Sequence, residues 1–149
     1  LFSFCVRVLV CWRVRFFFKN INVQYGHDVG DRILIEVTSF FRQRISKGYV
    51  FRIGGEEFAI FLPSSDPRSA YEFADMLREH LATTIHNIDE QVINLTISIG
   101  VACYMPNQTL KNFIKRADDA LYQAKQQGRN KVVTAYELSQ ESIEHNKAS

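Results

Sequence analysis

Residues 49–62 read Tyr49-Val50-Phe51-Arg52-Ile53-Gly54-Gly55-Glu56-Glu57-Phe58-Ala59-Ile60-Phe61-Leu62. Tyr49 to Ile53 and Phe58 to Leu62 are rich in β-branched and aromatic residues, and the glycine pair between them supplies backbone freedom. The stretch predicts two strands around a glycine turn, a β-hairpin closed by Pro63. Upstream, every even position from Phe2 to Phe18 is apolar, the period of a strand. Asn20 to Gly26 is turn-like, and Ile33, Leu34, Val37, Phe40, Phe41 and Ile45 then recur at three- and four-residue steps, which predicts an amphipathic helix from Asp28 to Lys47. Downstream, Asp66 or Ser65 caps a helix with Pro67 in its first turn and a buried stripe of Tyr71, Phe73, Ala74, Leu77, Leu81 and Ile85. Val92 to Cys103 reads as a strand centred on Leu95, Ile97 and Ile99. Thr109 opens a last helix carrying Leu110, Phe113, Ile114, Ala117, Leu121 and Ala124, which Gly128 ends. Lys131 to Tyr136 is a short strand, and Leu138 to Ser149 a polar tail. Strands and helices in this order predict an α+β sheet with helices packed on it.

The 149 residues, 46% hydrophobic and with a formal net charge of +2, describe one domain. A chain of this length buries roughly 70% of the surface its unfolded form exposes, enough for a core without staples. The near-neutral balance falls short of the basic footprint of a dedicated nucleic-acid binder. Cys5, Cys11 and Cys103 are odd in number and widely spaced, and no metal-ligand motif joins His27, His80, His86 and His145, so disulfide frameworks and zinc sites are not expected. Arg7, Arg13 and Arg15 interrupt the apolar start, and each arginine at a membrane centre costs roughly 2.5 to 3.5 kcal/mol. That segment is neither a membrane span nor a secretion signal, and a reducing cytoplasm is the expected location. The first residue, Leu1, suggests a fragment lacking its natural start.

Residue chemistry concentrates in four clusters: Phe18-Lys19-Asn20-Ile21-Asn22; Tyr25-Gly26-His27-Asp28-Val29-Gly30-Asp31; Arg52 to Phe58; and Arg116-Ala117-Asp118 leading through Lys125 to Arg129 and Asn130. Gly54 and Gly55 lack a Cβ, so a ligand can approach their backbone closely. Glu56 and Glu57, if both lie on a strand, point to opposite faces. Outside this context such a pair is commonly a solvated hairpin decoration. Asn22 and Asp31 offer acceptors for the N1 and N2 hydrogens of guanine, though each alone suits a turn or a helix start. Lys125 and Arg129, four apart at a helix C-terminus, can meet on one anion or simply complement the helix dipole. A P-loop is absent.

In this order and spacing, with Ser98-Ile99-Gly100-Val101-Ala102 as a fifth match, the chain from Phe18 to Val133 resembles the GGDEF domain of diguanylate cyclases, the turn here reading Gly-Gly-Glu-Glu-Phe. The resemblance implies the nucleotidyl-cyclase-like, ferredoxin-like palm fold, a mainly antiparallel central sheet surrounded by helices. It implies a domain over residues 18–137, preceded by an atypical strand over 1–17 and followed by a tail over 138–149. The implied reaction condenses two GTP into cyclic di-GMP and pyrophosphate across a homodimer, each 3′-hydroxyl attacking the α-phosphate held by the facing domain. By resemblance Glu56 is the Mg²⁺ or Mn²⁺ ligand and handles the proton, and Lys19 stabilises the transition state. Asn22 and Asp31 read guanine, Lys125 and Arg129 hold phosphates with Gly54 and Gly55 beside them, and Arg15 offers a backbone carbonyl to the metal. His27 belongs to a structural turn. A sensory domain upstream of Leu1 is a usual family partner.

The pattern is broken on both sides of Phe18. Where the family has D-x-D-x-F-K, this chain has Val14 and Phe16, and Val23 replaces a further aspartate. A hard cation needs oxygen ligands, and losing even an outer partner of a metal site commonly costs roughly 10 to 100-fold. Impaired turnover is therefore expected, the alternative being an inactive domain that binds GTP or dimerises as a regulatory module. Two origins for Val14 predict different things: natural degeneration, or a reading-frame slip near Phe16-Phe17-Phe18-Lys19-Asn20 that replaced the preceding segment, which resequencing the coding DNA would separate. Ile45 and Gly48 stand where an R-x-x-D product-inhibition motif would lie, so feedback there is not expected.

Overall fold

The computed structural model describes residues 8–16, 23–64, 66–84, 86–88 and 90–135, with 8–16, 64 and 91 as backbone. The elements are β1 (Val8–Phe16), α1 (His27–Arg44), β2 (Tyr49–Gly54), β3 (Glu57–Ser64), α2 (Pro67–Thr83), β4 (His86–Ile88), β5 (Gln91–Ile93), β6 (Ile97–Cys103), α3 (Leu110–Gln126) and β7 (Val132–Thr134). A five-stranded sheet runs β2-β3-β1-β6-β7, and β4 pairs with β5 in a separate ribbon. All neighbours in the large sheet are antiparallel except β6 and β7.

β1 is the central strand. Val10, Trp12 and Val14 stand in register with Leu62, Ile60 and Phe58 of β3, and Val14 also with Ile99 of β6. The apolar alternation of the sequence thus falls on the register of the core. On one face Phe58, Ile60, Leu62, Ile97, Ile99 and Val101 meet the buried stripes of α1 and α2. On the other, Ala102 and Val133 meet Phe113, Ala117, Ala120 and Ala124 of α3. This period-two division is what lets one sheet carry helices on both sides.

α3 sits directly on β6. A Cβ added at Gly100 would lie 2.2 Å from the Ala117 carbonyl oxygen and 2.2 Å from the Leu121 nitrogen. Arg116 fastens the same contact further along, its guanidinium donating to the Cys103 carbonyl at 2.9 Å. Arg116 and Ala117, part of the fourth sequence cluster, therefore seat the helix. Burial pushes the Cys103 thiol up from its ordinary pKa, with Arg116 opposing.

Several sequence boundaries move. α1 ends at Arg44, with Ile45 capping back to the Phe41 carbonyl, because Ser46 to Gly48 must turn the chain into β2. Pro63 lies inside β3 and does not close it: β2 stops at Tyr49 opposite Phe61, so a residue lacking N–H is tolerated where one side of the strand has no partner. The strand expected from Val92 is two elements, β5 and β6, and β4 before them carried too short an apolar signal to be read. Asp66, not Ser65, caps α2, accepting from the Ser69 nitrogen at 2.9 Å. Tyr71 and Phe73 are half-buried, while Ala74, Leu77 and Leu81 are fully enclosed. Residues 1–7, Phe18, Ile85, Tyr136 and the 138–149 tail lie outside the described residues.

Candidate functional site

The hairpin turn is one residue later than its glycines suggest. Gly54 pairs with Glu57, so the two-residue loop is Gly55-Glu56, and the register shifts between Arg52 and Gly54. Gly55 takes φ +49°, a conformation open to glycine at little cost. The bulge places only Glu57 on a strand, correcting the expectation that Glu56 and Glu57 alternate across one. Glu56 sits half-buried in the turn itself. Space around the tip is open: a Cβ at Gly54 or Gly55 would meet nothing within 4 Å.

Arg52, not among the expected site residues, closes this turn. Its Nε donates to the Gly55 carbonyl at 3.0 Å. Its side chain also lines an open groove of about 740 Å³ shared with Asp31, Leu34, Thr38 and Arg42 of α1. Asp31 is exposed in that groove, one turn beyond the helix start, where the dipole contributes less than at Asp28. His27 is exposed at the first position of α1, after Gly26 at φ +87°.

From the other face of the sheet comes the C-terminus of α3. Lys125 is in its last turn, with Nζ 3.7 Å from Oε1 of Glu57. The helix ends with Gly128 at φ +105°, and the Arg129 nitrogen bonds back to the Ala124 carbonyl at 3.0 Å, the pattern that satisfies terminal carbonyls. Arg129 at φ +63° and Asn130 at φ +44° continue the left-handed turn. Asn130 is held from α2 by Arg78, which donates to its Oδ1 at 3.3 Å. The exposed Arg129 is thus carried on a tightly specified turn.

β1 reaches the same end of the sheet. Arg15 stands in register between Glu57 and Ser98, and Val14 between Phe58 and Ile99. The structure therefore brings Gly54, Gly55, Glu56, Arg15 and Lys125 to one end of the sheet, with Asp31 joined through Arg52 and Arg129 following Lys125. Lys19 and Asn22 lie outside the described residues. Oxygen donors at this end of the sheet include the Glu56 and Glu57 carboxylates and the Arg15 carbonyl; Val14 adds no side-chain oxygen. Among the described residues no three His, Cys, Asp or Glu side chains gather as a metal site. Mg²⁺ characteristically takes one or two carboxylates plus nucleotide phosphates, so this donor set fits a cation that arrives on a nucleotide and not one held by protein alone.

The family model described as diguanylate cyclase, GGDEF domain, matches residues 8–131, beginning at the first residue of β1. Diguanylate cyclase A from Treponema denticola is 40% identical over 118 residues, 78% of this chain and 32% of that protein. Diguanylate cyclase DgcM from Escherichia coli is 40% identical over 120 residues, 79% of this chain and 28% of that protein. The chain thus spans about a third or less of these relatives' length. Among solved structures, the active GGEEF domain of a diguanylate cyclase from Vibrio cholerae superposes with a TM-score of 0.78 at 32% identity, covering 87% of this chain and 83% of that one. Diguanylate cyclase SiaD from Pseudomonas aeruginosa, solved in complex with its activator SiaC, gives 0.79 at 31% identity over 86% of this chain and 50% of that one.

Proposed function

The chain belongs to the GGDEF domain family, and from that premise we propose that it is a diguanylate-cyclase-type domain that binds GTP and joins two of them into cyclic di-GMP, with turnover depressed by Val14. The observation that carries this reading is the hairpin tip, where both helical layers contribute: Arg52 shares a groove with Asp31 of α1, and Glu57 lies 3.7 Å from Lys125 of α3. A base reader and a phosphate cation on either side of an open glycine turn suit a purine nucleotide laid across it. Asp31 accepts from guanine with Asn22, Lys125 and Arg129 neutralise phosphate oxygens, and Glu56 with the Arg15 carbonyl would hold the nucleotide-borne Mg²⁺. Bound there, Mg²⁺ would offset charge on the phosphates and make the hydroxyl more acidic. In each half-reaction a 3′-oxygen bonds to the α-phosphorus of the facing GTP, the bond to the β-phosphate bridge breaks, and pyrophosphate leaves with the electron pair. In this reading Glu56 handles the hydroxyl proton, and Lys19 stabilises the transition state. Because each hydroxyl must reach a phosphate bound elsewhere, two copies face one another.

A second reading has its own observation. Val14 supplies no side-chain oxygen and no three-residue metal cluster forms among the described residues, which favours a domain that binds GTP without turnover and regulates through dimerisation. Mass-detected cyclic di-GMP from GTP and Mg²⁺ separates the two. Product from the native chain supports the first. GTP binding without product supports the second, and no binding overturns both. Among the described residues no helix is long and apolar enough to cross a membrane. The related SiaD is solved with its activator SiaC, which supports a regulatory partner for this domain as part of the proposal.

A further inference from the structure

Glu57, the second carboxylate of the hairpin, has no part in the reaction as described. It opens β3, in register with Gly54 across the turn and with Arg15 on β1. By the alternation of a strand it shares a face with Phe61, whose ring packs against Phe113 of α3. On that face its Oε1 lies 3.7 Å from Lys125 Nζ, and the two side chains are only 35% and 22% exposed. A lysine at a helix end has a four-carbon stem whose ordering costs rotamer entropy. A carboxylate on a backbone-paired strand narrows that freedom in advance. The separation exceeds a hydrogen bond, so Glu57 attracts the ammonium without consuming one of its three donors.

We infer that Glu57 is a positioning residue, which holds the Lys125 ammonium beside the hairpin tip so that the phosphates of a bound nucleotide meet a cation already in place. This rests on the GTP-binding reading above. Ordering the cation before binding removes a cost that the complex would otherwise carry. The effect belongs to the phosphates alone, because Lys125 and Asp31 sit on helices covering opposite faces of the sheet.

The test is a double-mutant cycle on the whole chain, with Glu57→Gln, Lys125→Ala and both together. Calorimetry with Mg²⁺ and a GTP analogue blocked at the α–β bridge reads the triphosphate grip, and guanosine reads the base site. Glu57→Gln should weaken the analogue about 5-fold, the size of a typical coupling between neighbours, and leave guanosine unchanged. In the Lys125→Ala background it should change neither. An equal loss in both backgrounds, a matching loss for guanosine, or tighter analogue binding overturns the positioning role. Failure of the native chain to bind the analogue instead removes the GTP reading itself, and this inference with it.

Discussion

β1 and β3 lie side by side over eight register pairs, yet they stand differently toward chemistry. β3 opens from an exposed turn rich in polar groups: Gly55 at φ +49°, Glu56 in the loop, Glu57 toward Lys125, and Arg52 bonded across. β1 ends at the same place with Val14, Arg15 and Phe16. The ladder that seats a strand is made of backbone N–H and C=O groups, which valine supplies as well as aspartate. An alternating apolar pattern completes the placement. Chemistry needs particular side-chain atoms, so a strand can keep its place in the sheet while losing its ligands. The two strands show position and reactivity coming apart.

The frame common to both strands can be broken first. Gly100→Ala puts a methyl 2.2 Å from the Ala117 carbonyl oxygen, backbone that cannot turn aside, and should destabilise the domain by about 3 kcal/mol or more. Urea titration would show the midpoint collapse; an unchanged midpoint would mean that α3 does not sit on β6 as described. Next comes the hairpin's own contribution. Glu56→Gln keeps the shape but removes the charge, and should lower any cyclic di-GMP formation by about 100-fold or more, measured as product by mass spectrometry with the melting temperature unchanged.

The contrast itself would be erased by giving β1 back its carboxylates. Val14→Asp with Phe16→Asp should raise product formation by about 10-fold or more and tighten Mg²⁺-dependent GTP binding. No gain, with the fold intact, would place the defect elsewhere. The smallest effect belongs to the turn. Gly55→Ala finds open space but must hold φ +49°, and should cost about 1 kcal/mol in thermal unfolding. The same variant should weaken GTP binding only slightly, since the tip has room for a methyl.

The helices were legible because three- and four-residue apolar spacing is a local property: Ile33, Leu34, Val37 and Phe41 of α1 are all buried. Strand β1 was legible for the same reason. The β4–β5 ribbon was not, because three-residue strands carry too little pattern, and His86 reads as polar although it is buried. Arg52 was in view as part of a motif, yet its bond to the Gly55 carbonyl depends on a bulge that glycine spacing does not announce. The partnership of Glu57 with Lys125 joins residues on different elements, and nothing local to either marks the other.

By itself the sequence determined the α+β order, the apolar stripes and the glycine hairpin, since all of these are written in spacing and residue type. It also showed that β1 carries no oxygen-bearing side chain. Only the tertiary structure decided that this strand is central, that the loop is Gly55-Glu56, and that Glu57 meets Lys125 on the sheet face covered by α3. Those follow from strand register and helix seating, which are set by how the whole core closes and by close approaches such as Gly100 against α3, not by any window of the chain.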